Sequence, residues 1–185
     1  MSVVPSWSIW KERNQRVHGH KFSHQSEGIS GPVGVVRRVD SSHSWCPPLA
    51  GLYTLNCDAS VKDDKAAVGV VLSNERGEVM FCVGKQIGGC LEVELAEGQA
   101  VLFGLWCAID CGFSSIVIES DCSTLIQKLT SIVHGSSPMQ LLVDDINHLS
   151  ESFPFVSFEH INRKVNLVAH SLAKWASSWK MLLFC

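Results

Sequence analysis

The sequence predicts an α/β domain: a mixed five-stranded sheet, three antiparallel strands and then two parallel ones, flanked by helices. Three features predict it. Leu52 to Val83 holds three apolar runs of strand length separated by turn residues. Glu94 to Cys111 repeats its apolar side chains at helical spacing. The later strands, near Ile116 and Phe155, are each reached through helical sequence, the connection that parallel neighbours need.

Leu52-Tyr53-Thr54-Leu55-Asn56-Cys57 reads as the first strand and Ala67-Val68-Gly69-Val70-Val71-Leu72 as the second. Asn74-Glu75-Arg76-Gly77 has turn composition, so Val79-Met80-Phe81-Cys82-Val83 is the return strand. In the first helix Leu95, Val101, Leu102, Leu105 and Ile109 make a broad apolar face, which Gly112 closes as a C-terminal cap. Ile116-Val117-Ile118 is a short buried strand. Helices over Ser123 to Val133 and Met139 to Leu149, a strand over Phe155 to Ile161 and a helix over Val165 to Trp179 complete the order βββαβααβα.

The 185 residues have room for one ordinary domain and an appendage. Residues 51–179 are expected to form the domain, 180–185 a short C-terminal tail, and 1–50 a partly disordered tail or linker closed by the rigid Trp45-Cys46-Pro47-Pro48. Within that tail, Trp7, Trp10, Asn14 and Val17 recur at helical spacing, but so short a helix buries too little to be stable alone. With 46% hydrophobic and 18% charged residues the composition is globular. No apolar run approaches the ~20 residues of a membrane span, and the start lacks a signal peptide's apolar stretch, so a soluble intracellular protein is expected.

Charge is divided unequally. Residues 1–50 carry six Lys/Arg against three Asp/Glu, whereas residues 51–185 carry nine against fifteen. Affinity for nucleic acid comes largely from Lys and Arg neutralising phosphates, so an acidic domain argues against a dedicated high-affinity binding module. Cys107 and Cys111 lie one helical turn apart with no second pair at metal-ligand spacing; the cysteines read as small buried hydrophobes of a reducing compartment rather than zinc ligands. His18, His20 and His24 have no cysteines beside them and read as loop residues.

Asp58 falls at the end of the first predicted strand, Glu97 in the first turns of the first helix and Asp121 just beyond the fourth strand. Each has a bland reading: a turn residue, an acid favoured by the helix dipole, a helix cap. The three together can converge at one end of a sheet. Carboxylates brought so close repel one another, which a divalent cation between them relieves. A pair of Mg²⁺ ions about 4 Å apart can clamp the attacking water and the leaving oxygen of a phosphoryl transfer. Glu119, two residues before Asp121, reads equally as a carboxylate behind the site or a solvated one. Glu94 and the Asp144-Asp145 pair read as surface acids, and Trp106, Trp175 and Trp179 as packing residues.

From roughly Trp45 to Trp179 the chain resembles the ribonuclease H type 1 domains, and within them the plant branch at the ends of retrotransposon-derived (non-LTR) reverse transcriptases. The resemblance rests on Asn56-Cys57-Asp58-Ala59-Ser60, Ala96-Glu97 followed by Ala100, Glu119-Ser120-Asp121, and Asn166-Leu167-Val168-Ala169-His170-Ser171-Leu172-Ala173. Trp7-Ser8-Ile9-Trp10-Lys11-Glu12-Arg13-Asn14 also looks like the segment that precedes the domain in those proteins, which suggests a remnant of a longer polyprotein. The resemblance implies a ribonuclease H-like fold and metal-dependent endonucleolytic cleavage of the RNA strand of an RNA–DNA hybrid by a monomer, with two Mg²⁺ ions and Mn²⁺ able to substitute.

By the same resemblance Asp58, Glu97 and Asp121 are three of four metal-binding acids. The fourth is usually an aspartate in the final helix, where this chain has His170. An imidazole can ligate a cation but brings no negative charge, so Mg²⁺ should bind more weakly. His160 matches a mobile-loop histidine credited with assisting water activation or product departure, and Ser60 and Asn166 would contact the hybrid. The competing reading is a domesticated, catalytically weak module that binds nucleic acid or protein. Proofreading exonucleases offer two acids one residue apart on the first strand, and transposases a glutamate in the last helix. Neither feature is present here.

Overall fold

β1 (Tyr53–Lys62) runs through the middle of the sheet, with β2 (Lys65–Ser73) and β3 (Val79–Ile87) on one side of it and β4 (Ser115–Ser120) and β5 (Phe155–His160) on the other. The computed structural model describes residues 44–178 apart from 64, 90 and 132–134, together with the backbone of 181–184. These elements belong to a compact unit spanning Asp40–Cys185. The sequence readings at Trp7 to Val17, at the tail histidines and at Trp179 lie outside the described residues.

The five-stranded mixed sheet is present, and its two kinds of pairing meet on β1. Antiparallel pairing with β2 runs from Thr54↔Ser73 to Lys62↔Lys65, whereas parallel pairing with β4 stops at Asn56↔Glu119. β4 and β5 are also parallel. The first strand therefore extends past the expected end at Cys57. Asp58 sits in mid-strand, held by β2, at the point where β1 leaves β4. A ligand site at this end of parallel strands is the common arrangement in α/β sheets.

Two layers of helix cover the sheet. α1 (Val93–Asp110) packs on one face, where its Gly104 lies against Leu55, Cys57 and Val70, and α2 (Ser123–Leu129) and α3 (Pro138–Ser150) lie alongside it. Gly112, at φ +80, closes α1 as the sequence suggested. Among the described residues, α4 (Leu167–Ala176) is the one helix on the opposite face, where it packs against Gly69. The core between these layers includes Leu55, Val70, Leu105, Ile116, Ile118 and Leu125.

Several boundaries differ from expectation for local reasons. α2 ends at Leu129 because the hydroxyls of Thr130 and Ser131 donate to the carbonyls of Ile126 and Gln127, at 2.9 and 2.6 Å. α4 ends at Ala176, where Gln86 of β3 donates to the Ser177 carbonyl oxygen at 2.9 Å and draws the chain toward the sheet. The stretch read as a C-terminal tail then forms β6 (Met181–Phe184), a sixth strand antiparallel to β3 from Lys85↔Met181 to Cys82↔Phe184. An unpaired β3 edge offers a row of backbone donors and acceptors, which an apolar strand satisfies. Trp106 and Trp175, expected to be packed, are exposed. The apolar faces of their helices are broader than the surfaces that cover them. Among the described residues, no helix is long and apolar enough to cross a membrane.

Candidate active site

Ligand oxygens of Asp58, Glu97 and Asp121 all lie within 4.8 Å of one another. Each comes from a different element. Asp58 stands on β1 beyond the parallel pairing, Glu97 on the second turn of α1, and Asp121 in the loop that leaves β4. Asp58 and Glu97 are buried. Burial, followed by the neighbouring acids, pushes the Glu97 carboxyl up to about 8, although Arg163 and the Ala59 backbone pull the other way. Burial also raises Asp58 to about 6, against the lowering effect of its bond to His170.

The donor set fits a hard divalent cation. All three groups are carboxylates, and Glu97 Oε2 is buried with no hydrogen-bond partner among the described residues. A buried carboxylate oxygen left so is costly unless a cation meets it.

His170 reaches the cluster from α4. Its Nδ1 is 2.9 Å from Asp58 Oδ2, and its Nε2 is 3.2 Å from Arg163 Nη2. Arg163 Nη2 is also 3.5 Å from Nδ1, so the guanidinium lies against the imidazole ring rather than on the lone pair of one nitrogen, and Nδ1 is assigned as the donor to the Asp58 carboxylate. His170 thus stands against Asp58, outside the group of converging oxygens.

Asn166, expected at the hybrid surface, is 1% exposed. Its place is inside the protein: Nδ2 donates to the Cys57 carbonyl oxygen at 2.8 Å and to Asp121 Oδ1 at 3.2 Å. Asn at a helix N-cap ordinarily caps the helix with its side chain, but Asn166 makes no such bond. It ties the β1 backbone beside Asp58 to the Asp121 carboxylate instead.

His160 is exposed at the end of β5, opposite Ser120 in the ladder and so one residue from Asp121. Ser60 is half-buried on β1, two residues beyond Asp58 and on the same face. Glu119 is not a solvated acid: it is buried and accepts from Asn56 Nδ2 at 2.7 Å. Glu94 is exposed and accepts from Thr124 Oγ1, as befits a surface acid.

Sequence reasoning missed Arg163. It lies in the loop between β5 and α4, with Nε 4.0 Å from Asp121 Oδ2 as well as Nη2 beside His170. The available signal was a cation placed just before the final helix of an otherwise acidic domain.

The model of the reverse transcriptase-like family matches residues 56–176. A protein of Arabidopsis thaliana named as a candidate ribonuclease H is 26% identical over 149 residues, covering 79% of this chain but 24% of that protein. The chain thus spans about a quarter of the length of that relative. Among solved structures, ribonuclease H1 of the halophilic archaeon Halobacterium salinarum superposes with a TM-score of 0.64 at 26% identity, covering 68% of this chain and 96% of the other. A ribonuclease H1 isolated from compost, solved with an RNA/DNA hybrid, gives 0.62 at 20% identity, covering 68% and 96%. The second likeness concerns the fold alone. On the match over residues 56–176, which carries the three converging acids, the chain belongs to the reverse transcriptase-like family, with a ribonuclease H type 1 domain as its fold.

Proposed function

We propose that the domain is a divalent-metal-dependent endonuclease that cleaves the RNA strand of an RNA–DNA hybrid. The observation that carries this reading is the meeting of Asp58, Glu97 and Asp121, from three separate elements, at one end of the sheet. The all-oxygen donor set favours Mg²⁺, with Mn²⁺ as a substitute. When bound, the metal supplies Lewis-acid stabilisation of phosphoryl oxygens and lowers the pKa of water.

The chain's own residues do the rest. Asn166 fixes the Asp121 carboxylate and His170 the Asp58 carboxylate, so the ligand oxygens are preorganised before substrate arrives. In the reaction a water oxygen bonds to phosphorus as the ester bond to the leaving oxygen breaks, and that oxygen takes up a proton. His160, exposed and opposite Ser120 in the ladder, would take up or deliver a proton at its imidazole. Ser60, beyond Asp58 on β1, faces the hybrid, whose shape and 2′-hydroxyls distinguish it from DNA. We read the domain as a monomer and as part of a retrotransposon-derived reverse transcriptase.

One observation favours the second reading, a binding module with little catalysis. His170 stands where the family usually has an acid, and its Nδ1 is bonded to the Asp58 carboxylate within the protein. Cleavage of a labelled hybrid with Mg²⁺ or Mn²⁺, beside RNA-duplex and DNA-duplex controls, decides between the two. Hybrid-selective, metal-dependent cleavage supports the nuclease; binding of hybrid without cleavage under either metal supports the module.

A further inference from the structure

The domain's positive charge is gathered at its C-terminal end. Residues 51–160 carry five Lys/Arg against fifteen Asp/Glu, whereas residues 161–185 carry four Lys/Arg and no acid. Three of those four lie among the described residues, on α4 or on the turn that leads into it: Arg163, Lys164 and Lys174, all exposed. The turn is ordered, since Asn162 Oδ1 accepts from the Lys164 backbone N–H at 2.9 Å and the Asn162 carbonyl accepts from Val165 N–H at 2.8 Å.

α4 turns its small residues, Ala169, Ala173 and Ala176, to the sheet. Its other face is in solvent along Leu167, Val168, Ser171, Lys174 and Trp175, which recur at helical spacing and extend ~12 Å along the axis. Leu167, Val168 and Trp175 are 55%, 61% and 42% exposed, so cations and apolar side chains are interleaved here. A helix on a soluble surface normally gives its solvent face to charged and polar residues. One end of this track adjoins the acid cluster, where Arg163 Nε is 4.0 Å from Asp121 Oδ2.

We propose that this face of α4 holds an unpaired polynucleotide strand beside the acid cluster, with Arg163, Lys164 and Lys174 at its phosphates and Trp175 against a base. A row of cations neutralises the regularly spaced charges of a backbone, here in a domain whose remaining charge is negative. The apolar members decide which form of nucleic acid fits. Leu167, Val168 and Trp175 offer little to the phosphate ridge of a duplex, whereas the bases of an unpaired strand are open to stacking and apolar contact. Backbone and base faces are common to every sequence, so the contact is tolerant of sequence. It does not depend on the nuclease reading, because a binding module would use the same face.

The test measures binding of labelled, unpaired RNA and DNA oligonucleotides of mixed sequence to the full chain by fluorescence anisotropy, in EDTA so that no cation at the acid cluster contributes. Lys164→Gln combined with Lys174→Gln should make the slope of log affinity against log salt shallower by about 1.4, the share of two phosphate contacts. Trp175→Ala should weaken binding at least about fivefold, and Trp175→Phe should restore most of it. Arg76→Gln, which removes an exposed cation from the turn between β2 and β3, should change neither. Of two hybrids extended by an unpaired strand at one end or the other, at least one should bind more tightly than blunt hybrid, and the lysine pair should abolish that difference. An unchanged salt slope in the lysine pair, or an equal loss in Arg76→Gln, would overturn the proposal. So would a lysine pair that loses binding to anionic lipid vesicles while keeping its polynucleotide binding, which would mark the face as a membrane contact. Circular dichroism and melting temperature check that the variants fold. If the parent cleaves no hybrid, the nuclease reading fails by itself, and the binding outcomes still decide what α4 holds.

Discussion

Gly69 lies opposite Asp58 in the β1/β2 ladder, and α4 occupies the space where a side chain at that position would stand. A Cβ on residue 69 would strike the Ala169 carbonyl oxygen and the Ala173 backbone nitrogen, neither of which can rotate away. This close approach is what brings His170 against Asp58. Gly69→Ala should therefore destabilise the fold by about 1–3 kcal/mol and slow cleavage as well, through loss of the His170–Asp58 bond. Urea unfolding and a cleavage assay measure the two effects; unchanged stability would mean that α4 can shift freely.

Asp58→Asn and Asp121→Asn should each reduce cleavage at least about a hundredfold while preserving the fold, because each removes a charged ligand from the cluster. Each also removes repulsion, since Asp58 and Asp121 both raise the Glu97 pKa. The melting temperature without metal should rise in both variants. Near-parental cleavage at matched metal concentration would show that the site lies elsewhere.

His170→Asp should tighten Mg²⁺ binding and raise activity at millimolar Mg²⁺, by adding the negative charge that the parent lacks there. The same charge, set against Asp58, should lower metal-free stability. A metal titration followed by rate and by melting temperature separates the two. Loss of activity at saturating metal would show that the imidazole itself is needed to hold Asp58.

The raised carboxylates also set a pH dependence. Asp58 at about 6 and Glu97 at about 8 in the folded, metal-free protein lie above their usual values near 4 to 4.5, so the folded state holds protons that the unfolded chain releases. Their contribution is fully present below about pH 4 and is lost as pH rises through about 6 and then 8, on the order of a few kcal/mol in all. Metal-free melting temperature should fall between about pH 4 and 8, other groups being equal. Saturating divalent metal should flatten that fall. A metal-free protein equally stable across this range would contradict the buried, clustered state of the two acids.

Element types were legible because their signals are local. The turn at Asn74 to Gly77, the apolar periodicity of α1 and the stop at Gly112 each lie within a few residues of what they specify. Of the site, Asp58, Glu97 and Asp121 were legible as residue types at the ends of elements. Their supports were not. Asn166 carries the signature of a helix cap, yet its amide goes to Cys57 and Asp121, 109 and 45 residues away. Glu119 gives no sign in sequence that Asn56 will be its register partner. β6 was missed because a four-residue strand is specified by the open edge of β3 as much as by its own sequence.

The central place of β1 also governs when the site can exist. Its antiparallel partner follows directly in the chain, so β1 and β2 can pair early through a local turn. Its parallel partner β4 joins only after β3 and the whole of α1, and α4 closes the site with a contact between residues 112 positions apart. Such distant pairings carry a high loop-closure entropy and form late. A chain emerging during synthesis would hold Asp58 and Glu97 long before Asp121 and Asn166 are in place. Strong metal binding would then mark the end of folding, and an incompletely made domain would carry the acids without the chemistry.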